Sequence, residues 1–441
     1  MKITKESIVI FLFLIVIPSC FFYYINSLIR PFNEWQTLKY STPDSATYLD
    51  VGKWLLKEIS FNEAKESIAI RPFFYPLIVA TLERIHPLSL AIFQFILWQS
   101  QILIVYCFSV KLTKSRYVSI IFALISAIII SSICISLHAL TETLASFLIA
   151  FSILALACYI YKKKYRYIVL HLLALSLCSV TRPSIIYTYF FSSAVIIFFL
   201  KKRYIVTILI IMLTLVPIFT QCYIIKNKFN SFKISFVDIL TINDYFLSRF
   251  ELYKKNIERD VNRNFYIRKV RDVRRMYISN VITQEGYSGA AKKVKKDIVD
   301  NISKYHVEFF KQFLDLILEN STQASSFVND NRILYFATLF QSKLLMTINI
   351  ISALLFLLTI AAIKNKSVMI DGYTMFSLPV LFCIYFTYLS IGVTFWQGDR
   401  FLIPIYNMSI MLFVYQTVSF LTLLRNLREN SSNIQKMTIV A

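Results

Sequence analysis

The sequence has few of the residues on which nucleotide-binding and metal-binding sites are usually built. Its 441 residues include only six glycines, none of them in a Walker or dinucleotide-binding arrangement. A nucleotide site on a glycine-rich loop is therefore not expected, and the Gly-x-Ser-x-Gly nucleophile elbow is also missing. The seven cysteines lie in or beside apolar segments without metal-like spacing. We interpret them as small core side chains, and we expect neither a cofactor nor a metal.

Acidic residues are also scarce, since 25 Asp and Glu stand against 47 Lys and Arg for a formal net charge of +22. In a soluble protein this excess would indicate nucleic acid, but 57% of the residues are hydrophobic and the mean hydropathy is +0.61. The basic residues cluster in short gaps at 2–5, 111–116, 162–166, 201–203, 364–366 and 425–436. This is the pattern of cytoplasmic loops under the positive-inside rule. The composition predicts a polytopic membrane protein with no nucleic-acid partner.

Ten apolar runs approach or exceed the length needed to cross a hydrocarbon core about 30 Å thick. They lie near 8–28, 90–110, 117–137, 144–160, 167–180, 185–200, 204–225, 344–363, 373–395 and 401–424. Inside a bilayer only helices and closed barrels satisfy every backbone group, so we predict an all-α fold of ten transmembrane helices. The first run continues past Cys20 to Ile25, which favours an uncleaved helix over a signal peptide. Both termini are then cytoplasmic.

Two segments are too polar to span and are predicted to lie on the exterior side. The first outer loop, 30–89, has helix-like periodicity near 49–59 and 73–82, which predicts two short helices on the membrane surface. The second, 226–343, is predicted to form a mainly helical outer domain. The predicted organisation is an N-terminal transmembrane module at 1–225, the outer domain at 226–343, C-terminal transmembrane helices at 344–424 and a cytoplasmic tail at 425–441.

Five polar clusters punctuate the apolar sequence, and all of them lie on the exterior side of the predicted topology. They are Asp44 ahead of Tyr48, the run Arg71-Pro72-Phe73-Phe74-Tyr75-Pro76, Glu142 after His138, Thr181-Arg182-Pro183 and Asp399-Arg400. Ionisable groups at a membrane edge are costly and are suspected of function by default. The sequence therefore predicts one functional site on the exterior side of the membrane.

Asp44 and Arg71 have candidate chemical roles. A carboxylate at the membrane surface can take the proton of an acceptor hydroxyl as that oxygen attacks an activated sugar, and the guanidinium of Arg71 can pair with a phosphate. Simpler interpretations stay open. Asp44 can be a first-turn acid that favours the helix dipole, Arg71 an interfacial anchor and Arg182 a side chain that snorkels to the headgroups. Asp50 and Glu34 are weaker candidates for the base.

Two neighbouring pairs of polar residues have alternative interpretations. Glu142 lies four residues after His138 and is expected to pair with it or with one of the arginines. The two also have the spacing of metal ligands, but two ligands are too few for a metal site. Asp399 and Arg400, at the start of the last predicted span, are interpreted as a local ion pair.

Taken in order, these clusters resemble the GT-C superfamily of integral-membrane glycosyltransferases. The likeness is closest to the branch with the protein O-mannosyltransferases and the lipid A aminoarabinose transferase. The similar parts are Pro43-Asp44-Ser45 through Tyr48, the run from Arg71 to Pro76, Thr141-Glu142, residues 177–183, and Arg400-Phe401-Leu402-Ile403-Pro404. The chain departs from the family pattern at Ser45, where a second acid is common, and at Phe73-Phe74, where Pro-Gly is usual.

The resemblance implies a polyprenyl-phosphate-linked monosaccharide as donor and transfer with inversion at the anomeric carbon, with Asp44 as the base. The implied holders of the donor phosphate are Arg71, Arg182 and Arg400. The expected supporting residues of the pocket are Tyr48, Tyr75, His138 and Glu142. The family branch also indicates a bacterial inner-membrane enzyme whose site faces the periplasm. Its acceptor would be a lipid-linked or surface glycan, such as lipopolysaccharide or O-antigen.

Two other functions stay open. An O-antigen or polysaccharide polymerase also has many spans and a large outer loop, and it would be favoured by essential arginines within 249–275 and a dispensable Asp44. A flippase or transporter for a polyprenyl-linked glycan predicts charges near mid-membrane and often inverted repeats. The prominent charges here lie at one membrane edge instead.

Overall fold

A computed structural model describes residues 5–29, 34–36, 42–254, 263–324, 328, 331–362, 367–394 and 398–439. In these ranges the chain forms helices and loops, with no strand. Six helices are long and apolar enough to cross a membrane, namely Ile8–Ser27, Ser89–Thr113, Glu142–Lys162, Arg332–Ala362, Asp371–Val393 and Gly398–Arg425. A bent pair, Lys201–Thr214 and Val216–Phe229, makes a seventh if its halves form one span. The chain is therefore a helical, multi-pass membrane protein.

The first half of the chain contains twelve α-helices in its described part. They are α1 (Lys5–Ser27), α2 (Pro43–Leu55), α3 (Phe61–Ile70), α4 (Phe74–Ile85), α5 (Ser89–Thr113), α6 (Arg116–Ala127), α7 (Ile130–Ile135), α8 (Glu142–Lys162), α9 (Arg166–Ser179), α10 (Ile186–Phe199), α11 (Tyr204–Thr214) and α12 (Val216–Phe229). The described part of the second half adds α13 (Val237–Thr241), α14 (Ser248–Lys254), α15 (Arg263–Thr322), α16 (Arg332–Ala362), α17 (Ser367–Ser390) and α18 (Ile403–Ile439). Lys2 and the predicted cytoplasmic gap at 364–366 lie outside the described residues.

Three of the ten predicted spans correspond to helices that are short for a crossing. The run predicted at 117–137 is divided between α6, of 12 residues, and α7, of six. Ile129 between them has an extended backbone (φ −71°, ψ 99°), which interrupts the helix without changing the hydropathy. Helices α9 and α10 have 14 residues each, or about 21 Å at 1.5 Å per residue. The runs at 167–180 and 185–200 are equally short in the sequence, so hydropathy overestimated only the continuous helix expected at 117–137.

The first outer loop contains three short helices, where the sequence predicted two. The additional helix is α3, which begins after a capping box. The Ser60 side chain accepts a hydrogen bond from the Glu63 backbone, and the Glu63 side chain accepts one from the Ser60 backbone. Two otherwise unpaired backbone N–H groups are thereby satisfied, which stabilises the first turn of the helix. The Ser-x-x-Glu spacing in the sequence indicates the start of this helix, whereas the hydrophobic periodicity does not.

Helices α2 and α4 pack closely because Gly52 has no side chain. A Cβ atom at Gly52 would overlap the carbonyl oxygen of Pro76 and lie 2.5 Å from the Cβ of Ala80. This contact joins the last turns of α2 to the first turns of α4. The loop that carries Arg71 lies between α3 and α4.

We expect Gly52→Ala to lower the unfolding temperature of the detergent-purified protein, because overpacking of a tight contact costs about 1–3 kcal/mol. Gly372→Ala is the matched control. Its added Cβ would meet only Ile160 at 3.6 Å, which is ordinary van der Waals contact. The measurement is thermal unfolding of both variants beside the wild type. Equal shifts in the two variants would show that the α2–α4 contact is not tight.

The insert between α12 and α16 has its own apolar core. Among its buried side chains are Phe246, Phe250 and Leu316. Its long element α15 turns sharply at Gly286, whose φ of 71° and ψ of 179° are not helical. Residues before and after that turn then pair, since Arg274 Nη2 lies 2.8 Å from Asp297 Oδ2. The far end of α15 contacts the short 3-10 helices Ile391–Val393 and Gly398–Leu402, which join α17 to α18.

Candidate functional site

Five charged side chains from separate parts of the chain meet at one end of the transmembrane helices. Glu142 begins α8, Arg182 follows the end of α9, and Arg400 precedes the start of α18. Asp44 is in the first turn of α2, where Thr42 caps the helix, and Arg71 lies between α3 and α4. The structure thus brings together the acids and arginines that the sequence singled out.

These five groups form a row in which the sign of the charge alternates. Arg71 Nη2 lies 2.6 Å from Asp44 Oδ1, and Arg400 Nη2 lies 2.9 Å from Asp44 Oδ2. The Nε atom of Arg400 is 2.8 Å from Glu142 Oε1, and Arg182 Nη1 is 3.6 Å from the same oxygen. Arg400 therefore bridges the two carboxylates, and Glu142 pairs with arginines, which confirms one of its two predicted partnerships.

The five side chains of the row are not equally exposed, and Asp44 is the most exposed of them. The side chain of Glu142 is 1% exposed and those of the three arginines 13–14%, whereas the side chain of Asp44 is 36% exposed. Three guanidinium groups face two carboxylates, so the cluster has one positive charge in excess. Buried charge is costly unless it is paired. The net positive charge of these five groups favours the approach of an anion beside Asp44.

Asp44 is ionised and is paired with two arginines. Burial would raise the pKa of its carboxyl group, but the charges of Arg71 and Arg400 outweigh burial and hold the pKa below its ordinary value of 3.8. A carboxylate in this state is a weak proton acceptor. It becomes a stronger one when another anion draws the two guanidinium groups away.

Three aromatic or amide side chains hold Arg71 in place. The hydroxyl of Tyr48 accepts a hydrogen bond from Arg71 Nη1 (3.2 Å), and the ring lies under the guanidinium at 4.5 Å. Tyr75 contacts Tyr48 edge-on with ring centres 5.1 Å apart. Gln94 donates to the hydroxyl of Tyr75 (3.1 Å) and to the backbone carbonyl of His138 (2.9 Å). His138 thus reaches this network through its backbone. The sequence prediction missed Gln94, although a polar residue inside an apolar run was a signal.

Two further contacts fix the arginines. Arg71 Nε donates to Thr47 Oγ1 at 2.9 Å. The guanidinium of Arg182 lies 4.8 Å over the ring of Phe401 and donates to its backbone carbonyl at 3.5 Å. Each guanidinium is therefore oriented by neutral groups as well as by carboxylates, so its direction does not depend on the ion pairs alone.

The weaker candidates for the base occupy other environments. Asp50 accepts a hydrogen bond from Ser67 Oγ on α3 at 3.0 Å, and Glu34 is exposed in a 3-10 turn at 34–36. Asp44 is the carboxylate that Arg71 and Arg400 hold. This geometry favours Asp44 over the other two acids.

Asp399 has a different role from the one predicted. The sequence was interpreted as a local ion pair between Asp399 and Arg400, but the guanidinium of Arg400 is directed at Asp44 and Glu142. The Asp399 carboxylate accepts hydrogen bonds from Ser131 Oγ of α7 and from the Tyr406 hydroxyl of α18, the latter at 3.0 Å. Asp399 thus ties the segment that carries Arg400 to two transmembrane helices.

The chain matches no protein-family model, no curated protein and no solved structure. Within the described ranges, no three His, Cys, Asp or Glu side chains are grouped as metal ligands would be. The chemistry of the site is therefore inferred from the five charged groups and their neighbours. Their arrangement suits the binding of an anion next to a carboxylate.

Proposed function

We propose that this protein is an inverting glycosyltransferase that moves a monosaccharide from a polyprenyl phosphate to a lipid-linked or surface glycan. The observation that carries the proposal is the row of alternating charges, with three guanidinium groups, two carboxylates and its most exposed member at Asp44. A phosphate group adds negative charge to a cluster whose five groups sum to one positive charge. Guanidinium groups suit it because their planar N–H donors match phosphate oxygens.

The proposed reaction uses Asp44 as the base. The acceptor hydroxyl gives its proton to the Asp44 carboxylate while its oxygen attacks the anomeric carbon from the face opposite the phosphate. The bond between that carbon and the phosphate oxygen breaks, and polyprenyl phosphate leaves with the electron pair. Arg71, Arg182 and Arg400 stabilise the negative charge that grows on the leaving phosphate. Attack from the opposite face accounts for inversion.

Donor binding also prepares the base in this mechanism. In the structure Arg71 and Arg400 are both paired with Asp44, which keeps its pKa low. A donor phosphate competes with Asp44 for these two guanidinium groups. As they turn toward the phosphate, the pKa of Asp44 rises and the carboxylate becomes able to accept the proton. The base is thus strengthened when the donor is present.

A partly exposed row of aromatic rings supports a lipid-linked donor over a soluble one. Tyr187 lies five residues after Arg182 and contacts Phe386 at 4.9 Å between ring centres. Phe191, one turn further along α10, stacks on Phe382 of α17 at 4.1 Å. Tyr187 is 56% exposed on the outside of the helices. A polyprenyl chain lying along these rings would present its phosphate to Arg182.

The proposal includes the GT-C type of architecture and its orientation. The six long apolar helices, the bent pair and three shorter apolar helices lie where the ten spans are predicted, which supports this part of the proposal. In that arrangement both termini are cytoplasmic and the site faces the exterior of a bacterial inner membrane. The basic gaps that flank the predicted spans support this orientation through the positive-inside rule.

The test uses purified protein in lipid nanodiscs. Binding is measured with polyprenyl monophosphate and polyprenyl pyrophosphate, and transfer with a panel of polyprenyl-phosphate sugars offered together with a lipid-linked glycan acceptor. We expect preferential binding of the monophosphate and release of free polyprenyl phosphate from one of the sugars. The anomeric configuration of the product, determined by NMR, should be inverted. Arg84→Ala is a control that removes a surface pair with Glu58 (2.5 Å) and should behave as wild type.

Three results would overturn the proposal in different ways. If the protein did not bind polyprenyl monophosphate, a polyprenyl phosphate would be excluded as the carrier of the sugar. Extension of a pyrophosphate-linked glycan with Asp44 dispensable would identify a polymerase. Movement of a polyprenyl-linked glycan across the bilayer without bond cleavage would identify a flippase.

A further inference from the structure

Arg400 lies on a short connection that the outer insert covers. We call residues 391–394 and 398–402, the described parts of the link from α17 to α18, the strap. The strap contains two 3-10 helices, Ile391–Val393 and Gly398–Leu402. The last turns of α15 pack on both of them. The backbone that presents Arg400 is therefore in contact with a part of the chain distant in sequence.

Asn320, near the end of α15, forms the polar part of this contact. Its side chain is fully buried. Its amide nitrogen lies 3.1 Å from the carbonyl oxygen of Ile391 and 2.8 Å from that of Thr394. The amide also approaches the carbonyl of Leu316, one turn earlier in α15, at 3.1 Å. Asn320 therefore fastens the first half of the strap to the outer insert.

The second half of the strap is held by backbone contacts. The Asp399 N–H donates to the Gln323 carbonyl at 3.0 Å. Gly398 has a φ of +53°, and an added Cβ would lie 2.6 Å from the carbonyl carbon of Ala324. A glycine is needed here because both the left-handed backbone and the close approach exclude a side chain. Residues adjoining Arg400 are thus fixed by the same end of α15.

The strap also packs tightly against α15 at Gly392. A Cβ at Gly392 would lie 2.6 Å from a ring carbon of Phe313, one face of which belongs to the core of the insert. Glu319, next to Asn320, pairs with the buried Arg249 of α14 at 2.6 Å. The end of α15 is therefore anchored in the insert on one side and in the strap on the other.

We propose that Asn320 is a positioning residue for Arg400, and that the outer insert is in this way a working part of the site. The end of α15 fixes the strap so that Arg400 reaches Asp44 and Glu142 at once. An arginine that must bridge two carboxylates tolerates little displacement of its backbone, and a shift of about 1 Å at a catalytic group can cost roughly a hundredfold in rate. Only the role of Arg400 toward a donor phosphate rests on the proposed function.

The first experiment needs no donor. Phenylglyoxal modifies accessible arginines, and mass spectrometry reports the rate at each of them. We expect Asn320→Ala to raise the rate at Arg400 by about five- to tenfold, which corresponds to the loss of one or two buried hydrogen bonds. The rate at Arg71 should stay unchanged. Asn301→Ala is the matched control, since Asn301 lies on α15 and bonds to the Asp297 carbonyl instead of the strap.

The second experiment is a double-mutant cycle on the binding of polyprenyl monophosphate. Asn320→Ala should weaken binding by about tenfold in the wild-type background. In an Arg400→Ala background it should have no further effect, because a residue that acts through Arg400 loses its influence when Arg400 is gone. A merely structural role would weaken binding in both backgrounds. Asn320→Ser, which keeps one donor, should recover part of the affinity.

Equal modification of Arg400 and Arg71, or additive effects in the cycle, would overturn the positioning role. Where Asn320→Ala does not fold, Asn320→Ser takes its place in the modification experiment with a smaller expected rise at Arg400. A wild-type protein that binds no polyprenyl monophosphate would contradict the proposed function. The modification rates would still decide the role of Asn320.

Discussion

Arg400→Ala is expected to reduce glycosyl transfer by about 10²- to 10³-fold, the usual cost of removing one group that stabilises transition-state charge. It should also destabilise the protein by up to about 3–5 kcal/mol, because removing one partner of a buried ion pair weakens the compensation of the other. Glu142, 1% exposed, would keep only Arg182, 3.6 Å away. Transfer assays and thermal unfolding in nanodiscs measure the two effects.

A second substitution distinguishes the loss of transfer activity from the loss of stability. Glu142→Gln in the Arg400→Ala background removes the buried carboxylate that has lost its nearer partner, so it should restore part of the stability without restoring transfer. Arg400→Lys keeps the charge, but its single ammonium group does not reproduce the bridging geometry, so we expect intermediate activity. Recovery of transfer along with stability in the double variant would show that Arg400 serves the fold and not the reaction.

Asp44→Asn is expected to abolish transfer while it strengthens donor binding. Loss of a general base costs about 10²- to 10⁴-fold in rate. The same substitution leaves three guanidinium groups with one carboxylate and frees Arg71 and Arg400 for the phosphate. Affinity for polyprenyl monophosphate should therefore rise. Binding titrations and turnover assays on the purified variant measure the two quantities.

Asp50→Asn is the matched control for this prediction, because Asp50 lies on the same helix and bonds to Ser67 (3.0 Å). It should change neither donor affinity nor turnover by more than a few-fold. Should Asp44→Asn weaken donor binding, the carboxylate would be a structural partner of the arginines. Undiminished turnover in that variant would remove Asp44 from the mechanism.

The pH dependence of the wild type adds a check on the same residue. A group with a depressed pKa stays ionised until the pH falls through that lowered value, so in the free enzyme Asp44 becomes protonated at a lower pH than an ordinary aspartate does. The acid limb of kcat/KM reports the free enzyme and that of kcat the donor complex. We expect the Asp44 contribution to the kcat limb at a higher pH than its contribution to the kcat/KM limb. Coincident limbs would contradict the exchange of partners at Asp44.

Sequence reasoning identified the charged members of the site because each was an ionisable residue at the edge of an apolar run. Asp44, Arg71, Glu142, Arg182 and Arg400 are all of this kind, and membrane physics makes such residues conspicuous. Which of the charged residues pair with each other was harder to predict from the sequence. Asp399 was assigned to its neighbour in sequence, whereas the structure directs its carboxylate to Ser131 and Tyr406. Adjacent residues on a 3-10 turn point in different directions, which spacing alone does not reveal.

The remaining features depend on contacts between distant segments. Asn320 is an unremarkable amide in a polar helix, and its importance follows from the carbonyls of the strap some seventy residues later. The break at Ile129 has no signal in hydropathy, since isoleucines lie on both sides of it. Helix α3, in contrast, was predictable from Ser60 and Glu63. Capping residues of a helix can thus be recognised in a sequence, whereas tertiary hydrogen bonds cannot.

Helices α9 and α10 meet at Arg182 after only 14 residues each. Drawn perpendicular to a bilayer, they measure about 21 Å against a hydrocarbon thickness of about 30 Å. On the proposed topology the arginine would then lie roughly 9 Å beneath the level at which full-length helices emerge. The phosphate of a polyprenyl donor would in that case meet Arg182 without moving out of the membrane interface.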